Sequence, residues 1–337
     1  MVIGYPAFLR RPGGNVNVTL IDYIFHGNPL RQPKRASLNV IAACAAPARM
    51  RSDRDFSLQT ALPLPMHAQS FSPFETIPGD DAAGLILLAD HATNRLPPEY
   101  GDLGLPEAAF ERHIAYDIGI EGLTRRLAAT LGVPAVMSCF SRLLIDPNRG
   151  EDDPTLVMRI SDGAIIPGNH PLTPEEARHR LESFHRPYHA AVAAKIRAVE
   201  DRTGTAPLVI SLHSFTPFWK GVPRAWHAGI LWDSDPRAAV QLIERLRADP
   251  ALTVGDNEPY DGALKGDTMY RHCMMRGIAH ALLEVRQDLI ADSAGMDAWA
   301  ARLAPILSAM NADPALHGYR RYLSRTGPYD IAYGDEP

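Results

Sequence analysis

The sequence is short of the features that mark several large protein classes. Its 337 residues include only 3 cysteines, Cys44, Cys139 and Cys273. They lie far apart, which excludes a disulfide framework and a CxxC metal site. Such sparse thiols suit a reducing, cytoplasmic setting, and Cys139 and Cys273 read as buried. No apolar run approaches the ~20 residues of a membrane span. Ile41-Ala42-Ala43-Cys44 resembles a lipoprotein cleavage box, but its apolar stretch starts near Leu38, short of the ~7–15 residues of a signal-peptide core. A Gly-x-Ser-x-Gly elbow is missing, which disfavours a serine hydrolase, and no Walker pattern offers a phosphate cradle. Positive charge is also scarce: 34 basic against 39 acidic residues give a net charge of −5. Residues 1–70 hold 8 basic and 3 acidic groups, so the remaining 267 hold 26 and 36 and are distinctly acidic. An acidic body is a poor nucleic-acid binder. What is present, 46% hydrophobic and 22% charged residues, is ordinary for a globular protein.

Residues 1–75 carry Arg-Arg-Pro-Gly-Gly at 10–14, Lys-Arg at 34–35 and Pro-Leu-Pro at 63–65, with no sustained helical or strand period. They read as a flexible N-terminal extension, with Met66 a candidate start. Residues 76–330 read as one α/β domain. Buried strands are expected at 84–89, 134–140, 207–212, 228–232 and 279–285. Helices are expected at 106–131, from Thr173 to about Arg202 with an interruption at Pro187, at 235–246 and at 296–310. Strands alternating with helices predict an α/β fold, a mainly parallel or mixed central sheet flanked by helices on both faces.

In such sheets, sites gather at the carboxyl ends of strands. The first strand ends in Asp90-His91, the second runs into Arg142 and Asp146-Pro147-Asn148-Arg149, the third ends in His213 and the fifth in Glu284. If these strands are parallel, two histidines, a glutamate and two arginines meet on one rim. Imidazoles from separate strands suit Zn²⁺. A glutamate outside the metal ligands suits proton transfer, and arginine suits a two-pronged grip on a carboxylate. Together they describe a hydrolase for an amide that carries a free carboxylate.

The strings Asp90-His91-Ala92-Thr93-Asn94-Arg95-Leu96-Pro97, His113-Ile114-Ala115-Tyr116-Asp117-Ile118-Gly119, Ser141-Arg142-Leu143-Leu144-Ile145-Asp146-Pro147-Asn148-Arg149 and Ser211-Leu212-His213-Ser214-Phe215 resemble the N-formylglutamate amidohydrolase family. So do Gly255-Asp256-Asn257-Glu258-Pro259-Tyr260 and Glu284-Val285-Arg286-Gln287-Asp288-Leu289. The resemblance spans about residues 80–310. It implies a zinc-carboxypeptidase-like fold and a Zn²⁺-dependent, or other divalent-metal-dependent, hydrolase of a small anionic N-acyl amino acid, typically N-formyl-L-glutamate. Carried over by motif, it gives His91 and His213 to the metal and Glu284 to general base and acid chemistry. Arg149 with Asn148 falls to the substrate carboxylate, and Arg142 to the scissile carbonyl or a second anion contact. Asn94 stands where related carboxypeptidases place a glutamate ligand, so the third metal ligand lies open between Asp117 (first choice), Asn94 and Asp90. Asp90 has the alternative of orienting His91 from behind.

Two other functions stay open at this level: a related carboxypeptidase or deacylase with a different substrate, and a non-catalytic binding relative. His185 and His189 are four apart but straddle Pro187, and read as helix-surface or packing residues. Thr216-Pro217-Phe218-Trp219 and Gly255 to Tyr260 read as loops over the site that either shape an acyl pocket or serve the fold alone. Neither a membrane nor a nucleic-acid partner is expected.

Overall fold

A computed structural model describes residues 71–327. Most of the expected N-terminal extension lies outside them, although Phe74 and Glu75 already belong to an edge strand. Seven strands form the central sheet: β1 (Phe74–Ile77), β2 (Leu85–Ala89), β3 (Ala135–Ser138), β4 (Leu208–Phe215), β5 (Ala228–Leu231), β6 (Val254–Asp256) and β7 (His280–Arg286). Their spatial order is β1-β3-β2-β4-β7-β5-β6. The strands β3, β2, β4 and β7 are mutually parallel. β1 runs antiparallel to β3, and β5 antiparallel to β7. The sheet is therefore mixed, and the three strands expected to end in His91, His213 and Glu284 do point the same way.

Alternation along the strands explains the layers. Leu85, Leu87, Ile210 and Leu283 face one side, where they pack on α1 (Ile120–Leu131), α4 (Pro236–Arg247) and α6 (Ser293–Asn311). Ile86, Leu88, Val209 and Leu282 face the other, against Tyr188, Val192, Ile196 and Val199 of α3 (Arg186–Thr203). Both faces are dry, which is why β2 reads as an unbroken apolar run rather than an alternating one.

Two helical expectations need correction. Residues 106–131 are not one helix: a short 3-10 turn at Glu107–Ala109 and a run of turns precede α1. The break has a physical cause at Gly119, whose φ is 85° and whose absent Cβ would lie 2.2 Å from the Ile290 carbonyl oxygen. Only glycine fits there, and the turn so made sets Asp117 just ahead of the helix. The second correction concerns α2 (Pro174–Arg180), which runs into α3 through a π-helical turn, Leu181–His185, just before Pro187. Proline has no N–H to continue the regular ladder. The widened turn absorbs that loss and keeps one continuous helical path.

Candidate metal centre

The site stands where the α3 face of the sheet runs out of apolar residues. Two residues past Leu88 comes Asp90, two past Ser211 comes His213, and two past Leu282 comes Glu284, which pairs directly with His213 across the strands. With period-two geometry these side chains share one face. All of them are buried.

His213 lies between two carboxylates. Its Nδ1 is 2.8 Å from Asp117 Oδ2 and its Nε2 is 3.0 Å from Asp90 Oδ2. Burial disfavours the charged ring, but the hydrogen bonds and charge of Asp117 and Asp90 outweigh it and hold the imidazole pKa well above the usual range. Asp90 is fully satisfied: it also accepts from Tyr188 Oη at 2.8 Å, Thr268 Oγ1 at 2.6 Å and Ser211 Oγ at 2.9 Å. Burial opposes its ionisation, yet His213 brings its pKa down to about 2.

His91 is held from behind by Asp146, with Nε2 to Oδ1 at 2.6 Å. A carboxylate only accepts, so Nε2 carries the proton. The other ring nitrogen, Nδ1, is buried with no hydrogen-bond partner and faces Asp117 Oδ2 at 3.5 Å. The two rings stand edge-on, 5.0 Å between centroids. His91, Asp117 and His213 each offer a ligand atom, all within 4.8 Å of one another. Among the described residues this is the one such group.

The donor set fits a divalent metal. Two imidazoles and a carboxylate are a three-ligand set of the catalytic zinc type. An orphaned imidazole lone pair aimed at a carboxylate oxygen is repulsive unless a proton or cation lies between them. Each ring is turned toward Asp117 by a carboxylate on its far nitrogen, the arrangement that fixes metal-bound histidines.

Of the three residues open for the third position, Asp117 is the one the fold brings between the rings. Asn94 is turned away and donates from Nδ2 to the Phe110 carbonyl at 2.9 Å. Asp90 backs His213, not His91. Asp90, the first residue past β2, stays on the side of Leu88 and faces β4, whereas His91 lies in the turn that follows. Asp146 does for His91 what Asp90 was expected to do, a role not read from its motif.

Glu284 has one carboxyl oxygen, Oε2, buried without a hydrogen-bond partner. Burial raises its pKa to about 7, with Asp117 adding to the rise and His213 opposing it. Arg142 donates from Nη2 to Asp146 Oδ2 at 2.7 Å and sits 3.6 Å from Asp117, with Nε buried and without a hydrogen-bond partner. Arg149 lies 3.8 Å from Asp146. Asn148 closes the loop by accepting from the Thr268 amide at 3.1 Å and donating its own backbone N–H to Asp146 at 2.9 Å.

His185 and His189 were expected on a helix surface or in packing; both are buried, and they do more than pack. His185 Nε2 reaches the Arg149 carbonyl at 3.0 Å, and His189 Nε2 the Pro147 carbonyl at 2.9 Å. His189 Nδ1 meets His272 Nε2 at 2.9 Å, with His272 from α5 (Thr268–His272). Carbonyls only accept, so a neutral set with each Nε2 protonated satisfies every one of these contacts. Burial lowers all three pKa values, to about 4 for His185 and about 3 for His272. The three rings brace the main chain of the loop that carries Asn148 and Arg149. Cys139 and Cys273 are buried, as expected.

Residues 83–291 match the family model for N-formylglutamate amidohydrolase. A solved gene product from Agrobacterium tumefaciens is 30% identical, with a TM-score of 0.66 over 71% of this chain and 95% of that one. An N-formylglutamate amidohydrolase from Ralstonia eutropha shares the fold at 22% identity and a TM-score of 0.56, covering 72% of this chain and 97% of that one. No curated protein sequence matches.

Proposed function

The chain belongs to the N-formylglutamate amidohydrolase family, and from that premise we propose that this amidohydrolase is zinc-dependent and cleaves N-formyl-L-glutamate to formate and L-glutamate. The single observation that carries the metal reading is the buried His91–Asp117–His213 group, with an unpartnered imidazole nitrogen turned into it. When bound there, zinc supplies a Lewis acid that polarises the acyl carbonyl and acidifies water.

The chain's own groups do the rest. Glu284 takes the proton of the attacking water on its unpartnered oxygen and passes it to the leaving amine nitrogen. A carboxylate whose pKa is near neutrality accepts and releases a proton with little penalty in either direction. Arg142 is anchored by Asp146 on one side, and its unused Nε–H is available to the developing oxyanion. Arg149, on the loop braced by the buried histidines, holds a substrate carboxylate together with Asn148. Neutral His185, His189 and His272 keep that loop from drifting, which is where binding energy turns into orientation.

The reading of the chain as a non-catalytic relative rested on Asn94, and Asp117 supplies the oxygen that Asn94 would not. A related deacylase with another acyl group is the competing assignment. Assay of purified protein with zinc on N-formyl-L-glutamate and a panel of N-acyl amino acids separates the two. The proposed substrate should show the highest kcat/KM. Glu284→Gln should lose about 10²- to 10⁴-fold in kcat on it; an unchanged rate would remove Glu284 from the mechanism.

A further inference from the structure

A connection of 12 residues, 216–227, joins β4 to β5 and lies at the rim that bears the site, because Ala228 pairs with Val285 one residue beyond Glu284. It folds into a ribbon, Phe218–Trp219 against Val222–Pro223, whose side chains are outside the core: Phe218 is 59% exposed and Val222 65%. From its base Arg224 turns inward and is only 9% exposed. Three aromatic rings surround its guanidinium, Tyr260 at 4.9 Å, Trp219 at 5.5 Å and Phe215 at 5.6 Å. Its hydrogen bonds run from Nη1 alone, to Tyr260 Oη at 2.9 Å and to Thr216 Oγ1 and O at 3.2 and 3.3 Å.

No carboxylate pairs with Arg224 among the described residues. The other well-buried arginines all have one: Arg142 has Asp146, Arg180 has Glu176, Arg237 has Asp235 and Arg286 has Asp288, each at 2.7 Å or less, while Arg149 and Arg271 have Asp146 and Glu151 at 3.8 Å. A buried cation without an anion is costly, and aromatic faces compensate it only in part. Such a group is poised for an anion that arrives with a ligand.

Its place on the rim says which part of a ligand. Reading across the sheet, Arg142 and Arg149 follow β3, His91 follows β2, His213 lies on β4, Glu284 on β7, and the 216–227 connection enters β5. Arg224 therefore flanks the metal-ligating group on the Glu284 side, opposite Arg142 and Arg149. Tyr260 joins the two regions. Its loop folds back over the sheet, with the Glu258 carbonyl in the space left by Gly229, where a Cβ would come within 2.0 Å of that oxygen. Gly229 is the direct partner of Glu284. Burial, and next the Glu284 carboxylate, raise the Tyr260 phenol pKa.

We propose that Arg224, presented by Tyr260 and Trp219, is the specificity-determining group that binds the side-chain carboxylate of an amino-acid-derived dicarboxylate, while the Arg149 side holds the other carboxylate. The aromatic rings receive the methylenes between. This deepens the reading above and rests on it for the identity of the substrate, but not for the binding itself.

Calorimetric binding of L-glutamate and of its neutral isostere L-glutamine, with zinc present, tests it. The wild-type protein should prefer L-glutamate by roughly tenfold to a hundredfold, the range of hydrogen bonds to a charged group. Arg224→Met should abolish the preference by weakening L-glutamate alone, with L-glutamine changed by less than about threefold. Arg224→Lys, which keeps the charge and guards against a folding defect, should retain part of it. The inference is overturned if the wild type does not discriminate, if it binds neither compound, or if Arg224→Met weakens both equally. Cleavage of N-formyl-L-glutamate is scored separately. Turnover without an Arg224-dependent preference sinks this inference alone, and an Arg224-dependent preference without turnover sinks the substrate assignment alone.

Discussion

At the scale of single residues, the behaviour of Glu284 follows from its burial. Burial holds the Glu284 carboxyl at about 7 in the metal-free protein and a bound cation lowers it, so kcat/KM of the zinc enzyme should rise with pH along a limb at or below about 7 and then level. A pH–rate profile with no ascending limb at or below about 7 would argue against Glu284 as the base. The same shift bears on stability. The folded pKa lies above the ordinary 4.5, so the buried carboxyl favours folding least once pH exceeds 7. Stability is full below about pH 4.5 and declines as pH rises through 7, by about 3 kcal/mol in all. Glu284→Gln should therefore raise the Tm of chelator-treated protein at pH 8 and leave it unchanged at pH 4.5. Metal analysis addresses the ligands: Asp117→Asn should lose stoichiometric zinc. Asp146→Asn, which removes the negative charge behind His91 and Arg142, should weaken zinc by about 10- to 100-fold. The residues of the proposed metal group were legible because each lies at the end of a strand or ahead of a helix with chemistry that its position does not need. The carboxylates behind them were not. Asp90 and His91 are adjacent in sequence, and only the turn that follows β2 sends them to different partners.

At the scale of elements, five of the seven sheet strands were readable, and the two edge strands, β1 and β6, and the connections were not. Apolar runs such as Leu85–Ala89 declare themselves because both faces of the sheet are covered. The direction of β5 leaves no such trace, since a buried strand looks alike either way. The buried histidines show the same limit: His189 and His272 lie 83 residues apart and meet only because α5 folds beside α3. Their brace predicts a divided kinetic effect. His189→Phe keeps the ring and the packing but removes the donor to the Pro147 carbonyl, so KM should rise severalfold with kcat less affected. Steady-state kinetics showing a loss confined to kcat would assign the brace a different role. In the core of the same helix, Ile196→Ala should cost about 2–5 kcal/mol, measured by denaturant unfolding, because the side chain is fully buried between α3 and the sheet.

At the scale of the whole molecule, the formal charge of −5 misleads about the ligand. An acidic body is proposed to take an anionic substrate because a few arginines and a cation outweigh the bulk field at short range. Removing that cation should be felt globally: a metal bound far above its dissociation constant stabilises by mass action, so chelation should lower Tm by roughly 10 °C in a thermal scan. No helix among the described residues is long and apolar enough to cross a membrane. The reversed strand has one more consequence, for how this scaffold can diversify. Since β5 runs back from the rim, the 12 residues between β4 and β5 form a detour whose two ends are pinned by the sheet. Lengthening, shortening or recolouring that detour leaves His91, Asp117, His213 and Glu284 where they are. A lineage could thus change its diet by rewriting one short stretch of sequence while inheriting its reaction intact.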